Sequence, residues 1–550
     1  MIGPMFLVIA GRMSTTFGRK VRKLKEVVAR FDVRSNAIKL HTLQDLGGCD
    51  LPVSKALIGY CDLLLFLQAM PPNKKMLLAA RKEMGRVTRL LSSSAKRRDR
   101  SLMNSGLPHT TQVSKFTHDL TTWLCNEPTC RIEMDGFEDA KFDLNEVLGA
   151  TLPTMEQSET TSGLGNAQLL EALGIRSGKE VQFLLAELRK LNDRPRVKDL
   201  LFDGLGLYVR IQPTNRSFSR AYNTFLLQAP FFHDGLLKEF DQRELLDRAL
   251  PDATALSASL KERLIRVVKL SMVLTDRETD PVTYLDERTL RLYALERGVM
   301  VAIYSMEPAR QLALESYVGY TLFKNGYPAA YGGAWVFGGR ADFGINIFEA
   351  FRGGESGYLM CQLLRVFRQV FSVDRFEIEP YQFGLDNPDG IATGAFWFYH
   401  KHGFRPTDPK LFELSETEVE LRKKRKAHRT SKRVLIRFTE SNMALVLGRE
   451  PQLGVHDITQ KVKRLIRTTY ASDRARAEME SVGKFQKRTG RSPRVSADGA
   501  RVLKEVALWA EAFQIIDAGK LDLLDRMIAV RPVDTYRYQD LLLRFFKKAK

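Results

Sequence analysis

The chain has 550 residues, of which 85 are Lys or Arg and 65 are Asp or Glu, so its formal net charge is +20. Hydrophobic residues make up 44% of it, which excludes an intrinsically disordered chain and predicts packed domains. Five cysteines, few and odd in number, argue against a disulfide-stapled secreted protein and favour a reducing compartment. The apolar run at 5–10 is too short to span a bilayer, so we expect a cytoplasmic protein without a membrane span.

The length and the changes of pattern along the chain predict four regions. We expect an N-terminal helical region at 1–150 and a second helical region at 151–295. A mixed α/β domain follows at 296–410, and a basic helical region at 411–550 closes the chain. The fold class is therefore expected to be α+β, with the mixed domain embedded between large, mostly α-helical regions.

Apolar residues recur at helical spacing through most of the first 295 residues. The best stripe lies in the predicted helix at 73–93, on Met76, Leu77, Ala80, Met84 and Val87. The pattern at 112–150 is weak, and 200–209 fits a helix or a strand equally well. Further helices are predicted at 53–70, 220–227, 234–249 and 254–274.

Charged residues crowd around a proline turn just before the mixed domain. Arg277, Glu278, Asp280 and Tyr284 lie within eight positions of one another. Two interpretations stay open here: a loop that contacts a substrate, or a surface turn with local ion pairs.

The stretch at 298–408 has the strongest local order in the chain. A strand pattern at 341–348 runs into a glycine-dense turn, Arg352-Gly353-Gly354-Glu355-Ser356-Gly357, and an amphipathic helix at 358–371 follows. Such a turn directs backbone N–H groups towards an anion, and the positive end of the helix favours a phosphate there. A second strand at 375–381 and a short aromatic helix at 394–402 complete the stretch.

This succession of elements resembles the GNAT (GCN5-related) N-acyltransferase superfamily over about residues 298–408. The turn matches the family's Gln/Arg-x-x-Gly-x-Gly/Ala loop, which binds the pyrophosphate of acetyl-CoA. Ala395, Phe398, Tyr399, Gly403 and Phe404 fall in the register of the family's next helix. The resemblance implies a GNAT-like mixed α/β acyltransferase domain with acetyl-CoA or another acyl-CoA as co-substrate, and no metal. The acceptor would be an amine that the sequence does not identify.

The resemblance also implies roles for individual residues. The thioester would lie between the strands at 344–348 and 376–381, where a backbone N–H of the first strand polarises the acyl carbonyl. Tyr399 would protonate the departing thiolate, and Glu349, Glu377 and Glu379 are candidates for removing a proton from the amine. Tyr399 also lies in an aromatic run that fits a hydrophobic core. Residues expected to bind the co-substrate are Arg352, Gly353, Gly354, Glu355, Ser356, Gly357 and Tyr358.

Two positions depart from the family pattern, since Glu355 stands where the loop has glycine and Ala392 where the helix has asparagine. A carboxylate beside a diphosphate repels it unless the side chain points away. One alternative donor is therefore an acyl group on an acidic carrier protein, which lacks the adenosine diphosphate end.

The run at 422–433 holds eight Lys or Arg residues and suits an acidic carrier protein or nucleic acid. A charge-balanced helix, with acids at 413–420 and bases at its C-terminal end, explains the same run without a partner. The alternative function is a non-catalytic GNAT-like scaffold that binds a polyanion. Beyond it, helices are predicted at 458–470, 496–516 and 535–548.

Overall fold

The computed structural model describes residues 16–93, 99–448, 453–490 and 496–547. The apolar run at 5–10 and the last residue of the helix expected at 535–548 lie outside these ranges. Within them, helices surround one large and one small β-sheet, so the expected mixture of helix and sheet is confirmed. No helix of the described residues is long and apolar enough to cross a membrane.

The N-terminal helices pack through the apolar stripes that their sequences predict. The Asn73 side chain caps the last of them by accepting a hydrogen bond from the Met76 N–H. The predicted stripe of that helix, on Met76, Leu77, Ala80, Met84 and Val87, is buried. The helices are α1 Thr16–Val27, α2 Val33–Gly47, α3 Lys55–Ala69 and α4 Lys74–Leu91.

A small antiparallel sheet, in the order β1-β3-β2, was not predicted and lies among the helices of the first 295 residues. Its inward side chains Val209 and Ile211 alternate with outward ones, as a half-buried strand requires. Leu148 and Leu152 belong to one hydrophobic cluster, which therefore runs across the predicted boundary at 150. The elements are β1 Gln112–Ser114, α5 His118–Cys125, β2 Cys130–Phe137, α6 Leu144–Gly149, α7 Gln157–Thr160, α8 Asn166–Ala172, α9 Glu180–Arg189, α10 Pro195–Gly204 and β3 Leu207–Pro213.

The helices predicted at 220–227 and 234–249 are wrong except for one short piece. The segment runs as an extended strap because side chains from elsewhere bind its backbone. Asn325, for example, accepts a hydrogen bond from the Phe231 N–H and donates one to the Phe231 carbonyl. The helices here are α11 Gln242–Asp247, α12 Ala258–Val273 and α13 Asp280–Thr283.

The large sheet has eight strands in the order β10-β11-β9-β8-β7-β6-β5-β4. The sheet extends beyond the predicted domain at 296–410, because its strands Arg291–Ala294 and Met443–Val446 lie outside those limits. The strands are β4 Arg291–Ala294, β5 Val299–Ser305, β6 Ser316–Lys324, β7 Tyr327–Phe337, β8 Arg340–Ile347, β9 Arg375–Ile378, β10 Arg405–Pro406 and β11 Met443–Val446.

One pair in this sheet differs from the rest. All neighbouring strands are antiparallel except β8 and β9, which are parallel and pair only from Arg340–Arg375 to Asp342–Glu377. The connection between them contains α14 Ser356–Phe371, and α15 Pro388–Thr393 and α16 Ala395–Lys401 follow β9. The amphipathic helix predicted at 358–371 and the aromatic helix predicted at 394–402 are thus present within about two residues of their expected limits.

Helices cover both faces of the large sheet. On the first face Phe343 packs against Phe367 of α14, and the N-terminal helices join the same core. On the second face α12 packs over β5 to β7, and Phe337 joins the core of the C-terminal helices. Those helices include the three that the periodicity predicts at 458–470, 496–516 and 535–548, and the full set is α17 Pro409–Lys424, α18 Lys432–Phe438, α19 Val455–Thr469, α20 Arg474–Thr489, α21 Ala497–Ala512, α22 Ala518–Val530 and α23 Thr535–Phe546.

Candidate active site

The glycine turn before α14 presents a row of open backbone N–H groups. The amides from Glu355 to Tyr358 have no hydrogen-bond acceptor in the described part of the chain, and no side chain caps this helix end. A helix N-terminus carries a positive partial charge, and unpaired N–H groups bind anions. The unpaired N–H groups of the turn suit an anionic group such as a phosphate, while Met70 and His402 pack against Gly354 and Gly357.

Two positions of the turn require glycine, each for a different physical reason. Gly353 is exposed and has φ of +79°, a conformation that residues with a side chain rarely adopt. A Cβ at Gly357 would lie 2.4 Å from Nε2 of His402, so only glycine lets α16 end this close to α14. The preceding Arg352 is exposed and donates from Nε to the Ile347 carbonyl at 3.2 Å.

Glu355 points away from the turn and into the protein. Its carboxylate lies 2.6 Å from Nζ of Lys324 and 2.6 Å from Nη2 of Arg297, and it accepts a hydrogen bond from the Leu237 N–H. The side chains of Lys324 and Glu355 are both 0% exposed. Burial alone would raise the pKa of Glu355, but the charges and hydrogen bonds of Lys324 and Arg297 hold it below its ordinary value. The charge that seemed to conflict with a diphosphate is thus turned inward and paired.

A gap opens between the parallel strands directly beside this turn. Beyond Asp342, β8 has no strand partner on the side of β9 among the described residues. The Tyr320 hydroxyl donates to the Gly344 carbonyl at 2.6 Å, and a Cβ at Gly344 would lie 2.9 Å from the amide nitrogen of Gln382. The Gly344 carbonyl is therefore already bonded and the Gln382 side chain covers this residue, so a ligand between the strands would have to displace Gln382.

Tyr399 projects from α16 into the core on the first face of the sheet. It is 3% exposed, packs edge-on against Phe398 and Phe404, and its hydroxyl has no hydrogen-bond partner in the described residues. Burial raises its pKa above the ordinary value, so it stays protonated at neutral pH. Burial and the neighbouring Tyr399 also raise the pKa of Tyr320, whose hydroxyl lies at the Gly344 carbonyl of β8.

The three carboxylates predicted as bases differ in their surroundings. Glu349 is exposed in the turn after β8, and Glu379 is exposed at the end of β9. Glu377 is buried between Arg340 at 2.5 Å and Arg375 at 2.7 Å. Burial would raise the pKa of Glu377, but the arginines and Asn442 lower it overall, so it is a poor proton acceptor. Glu349 and Glu379 form no ion pair with any residue that the structure describes.

Two carboxylates that the motif did not include have properties that suit a base. Burial, followed by the charge of Glu377, raises the pKa of Asp342 on β8 to about 6. Burial, followed by the charge of Asp342, raises the pKa of Glu315 to about 7. A group that titrates near neutral pH exchanges protons readily. The sequence offered one signal for Asp342, an acidic residue within the alternating strand pattern ADFGINIF. No local sequence feature distinguishes Glu315.

The basic run at 422–433 flanks the helix that carries Tyr399. Phe438 of α18 stacks on Phe396 of α16 with ring centroids 3.9 Å apart, and the Arg422 guanidinium lies 4.3 Å from the centre of the Trp397 ring. All eight Lys and Arg side chains of the run are exposed. The run is therefore an exposed positive surface anchored on α16.

The large sheet thus brings together an open amide turn, a gap between parallel strands, a buried phenol and two carboxylates with raised pKa values. The glycine turn and Tyr399 were predicted from the sequence, whereas Asp342 and Glu315 were not. Comparisons of the chain with protein-family models, curated proteins and solved structures found no significant match.

Proposed function

We propose that the chain is an N-acyltransferase that transfers an acyl group directly from acyl-CoA to an amine, in a GNAT-like domain. The observation that carries the proposal is the position of the open turn Glu355–Tyr358 beside the gap between β8 and β9. A thioester that enters the gap would leave its diphosphate at the turn. The five cysteines are free thiols, which agrees with the further proposal of a cytoplasmic location.

The turn supports a diphosphate better in the folded chain than its sequence suggested. Glu355 contributes its backbone N–H to the turn, while its carboxylate is held by Lys324 and Arg297. The exposed Arg352 adds a positive charge near the same place. The departure from the family pattern at position 355 therefore does not by itself argue against acyl-CoA.

The proposed reaction needs a polarised carbonyl, a free amine and a proton for the leaving sulfur. An N–H of β8 beyond Asp342 would donate to the acyl carbonyl oxygen as negative charge develops there. Asp342 would take a proton from the incoming ammonium group, with Glu349 and Glu379 as alternatives through water. Tyr399 would give its proton to the thiolate as the carbon–sulfur bond breaks.

Binding of CoA is the first test of the proposal. We expect CoA at 100 times its dissociation constant to raise the free energy of unfolding by about 2.7 kcal/mol, measured as a thermal shift. The matched control is Gly353→Glu, which places a carboxylate at the open side of the turn and should abolish the shift. A chain that CoA does not stabilise would contradict an acyl-CoA donor.

A second candidate function is polyanion binding through the basic run, and the exposure of its eight Lys and Arg side chains favours it. The partner would be nucleic acid, with the domain as a scaffold, or an acidic carrier protein that delivers the acyl group. An acyl group on a carrier protein would still use Tyr399 and the gap, but it would leave the turn Glu355–Tyr358 without a diphosphate.

Charge reversal separates these possibilities. If the run contacts nucleic acid, changing Lys424, Arg425 and Lys426 to Glu should reduce the slope of log Kobs against log salt by about 3, since each phosphate contact contributes about 0.9. The matched control reverses Lys463, Arg464 and Arg467, which are exposed on α19. Equal losses in both variants would show a non-specific effect of net charge. Loss of carrier-dependent turnover alone would favour the carrier protein.

A further inference from the structure

An aromatic pair and two carboxylates lie together on the second face of the large sheet, and of these four side chains only Asp342 has a role in the proposed transfer. Tyr317 of β6 pairs with Trp335 of β7, and Trp335 pairs with Asp342 of β8. Residues directly opposite each other on neighbouring strands project to the same face. The Tyr317 and Trp335 rings stack with centroids 4.0 Å apart and an angle of 13°, and both are only partly buried.

The carboxylates at this place outnumber the cations near them, which are Arg340 for Glu315 and both Arg340 and Arg375 for Asp342. Glu377, the next residue in the row, is paired with Arg340 and Arg375. Asp342 and Glu315, by contrast, are partly buried and have no ion pair or side-chain hydrogen bond in the part of the chain that the structure describes. This is unusual in a chain of net charge +20, because a partly buried carboxylate normally has a partner. An unbalanced negative charge beside two stacked rings is complementary to a cation.

The surface also adjoins the proposed position of the thioester. Asp342 precedes Gly344 by two positions, which is roughly 7 Å along a strand. Gly319, Gly333 and Gly344 are paired in register across β6, β7 and β8. Other side chains pack on this row: Pro281 and Tyr304 on Gly319, Tyr317 on Gly333 and Gln382 on Gly344.

The loop at 277–284, whose role the sequence left open, forms the opposite wall. Pro281 lies against Gly319, where an added Cβ would come within 2.5 Å of it. Asp280 and the exposed Glu379 lie near Tyr317 and, after burial, raise its pKa to about 12. The carboxylates around the aromatic pair, Asp280, Glu315, Asp342 and Glu379, therefore come from four parts of the chain.

We propose that this surface binds the acceptor, and that the acceptor is an amine with a second positive charge. The inference rests on the proposed acyl transfer and names its substrate class. The reacting ammonium lies at Asp342, and the second cation lies at Trp335 and Glu315. Glu315 lies just before β6 and Asp342 lies on β8, and these two strands are two strand spacings apart, roughly 10 Å, which is the reach of an extended diamine.

The reaction balances with these groups. Asp342 accepts one proton from the ammonium and releases it to solvent, which leaves a neutral amine. Its nitrogen attacks the thioester carbonyl, the carbon–nitrogen bond forms and the carbon–sulfur bond breaks. Tyr399 gives its proton to the sulfur and recovers one from the nitrogen through water. The products are an amide, free CoA thiol and one proton.

Calorimetric binding of 1,5-diaminopentane to the full chain without acyl-CoA tests the inference. We expect the diamine to bind at least tenfold more tightly than 5-aminopentan-1-ol, which lacks the second charge. Asp342→Asn and Glu315→Gln should each weaken the diamine at least tenfold, and Trp335→Leu should weaken it more than Trp335→Phe does. The matched control is Glu262→Gln, an exposed acid on α12. Unfolding curves for every variant separate lost binding from lost folding.

Equal affinity for the two amines, or diamine binding that Asp342→Asn and Glu315→Gln leave unchanged, would overturn the inference. Failure of the proposed function looks different. If the diamine binds as expected but acetyl-CoA yields no amide and no free thiol, the result supports the cation-binding surface and contradicts the proposed acyl transfer. If acetyl-CoA acylates the amino alcohol as well as the diamine, the result supports the proposed acyl transfer and contradicts the requirement for a second positive charge on the acceptor.

Discussion

Replacing Tyr399 with Phe is expected to lower kcat at least about 100-fold, because general acid catalysis typically contributes that much or more. The KM for acyl-CoA should change little, since the hydroxyl group acts on the sulfur only as the bond breaks. Burial keeps the pKa of Tyr399 above its ordinary value of 10.0, so no loss of activity from its ionisation is expected between pH 7 and 9. Release of free thiol under steady-state conditions measures the effect.

Tyr304→Phe is the matched control for this variant. Tyr304 is another fully buried phenol of the same sheet, and its hydroxyl shares a hydrogen bond with Thr321 at 3.0 Å. Its removal should cost about 1 kcal/mol of stability and leave kcat unchanged. Tyr399→Phe should unfold at nearly the wild-type temperature, because its hydroxyl has no hydrogen-bond partner in the described residues. An unchanged kcat in Tyr399→Phe would show that Tyr399 is not the general acid and only packs in the aromatic core.

Replacing Glu355 with Gln is expected to lower the free energy of unfolding by about 3–5 kcal/mol, the usual cost of leaving a buried charge without its partner. The change keeps the size of the side chain but removes the charge that Lys324 and Arg297 share. The Lys324 side chain is 0% exposed, so its charge lies within the protein. Urea unfolding followed by circular dichroism measures the loss.

The double variant Lys324→Met with Glu355→Gln separates charge from packing. Removing both partners of a buried pair costs much less than removing one, so the double variant should recover part of the stability that Glu355→Gln loses. Additive losses in this cycle would contradict a coupled pair.

The same pair predicts how stability depends on pH. The pKa of Glu355 is lower in the folded chain than its ordinary value of 4.5. Its contribution is therefore complete above about pH 4.5 and is lost as the pH falls through the lower folded value. The wild type should lose more stability than Glu355→Gln over that acidic range. Parallel acid unfolding curves for the two proteins would contradict the ionised pair.

Local sequence was sufficient for the elements of the central stretch. The apolar stripe of α14, the alternation along β8 and the glycine turn between them all follow from residues close in the chain, and each appears within a few positions of its expected limits. The helical periodicity of the C-terminal region was read correctly for the same reason. A periodic pattern over several turns reports the face that the helix will bury.

Tertiary contacts changed the interpretation of individual residues. Glu355 stood beside a presumed diphosphate in the sequence, yet its partners Lys324 and Arg297 lie 31 and 58 positions earlier in the chain. The strap at 220–240 has helix-forming residues, but bonds from Asn325 hold it extended. No local signal encodes such pairs, since they form only after the sheet has placed its strands.

The sequence by itself therefore determined the open turn, the helix behind it and the phenol on α16, because these depend on spacing within one element. Only the tertiary structure decided the gap and the surface beside it. β11 pairs with β9 although it follows it by more than sixty positions, and the row Tyr317–Trp335–Asp342 joins three strands in register. Strand register depends on which faces are buried together, and that choice is made by the whole sheet.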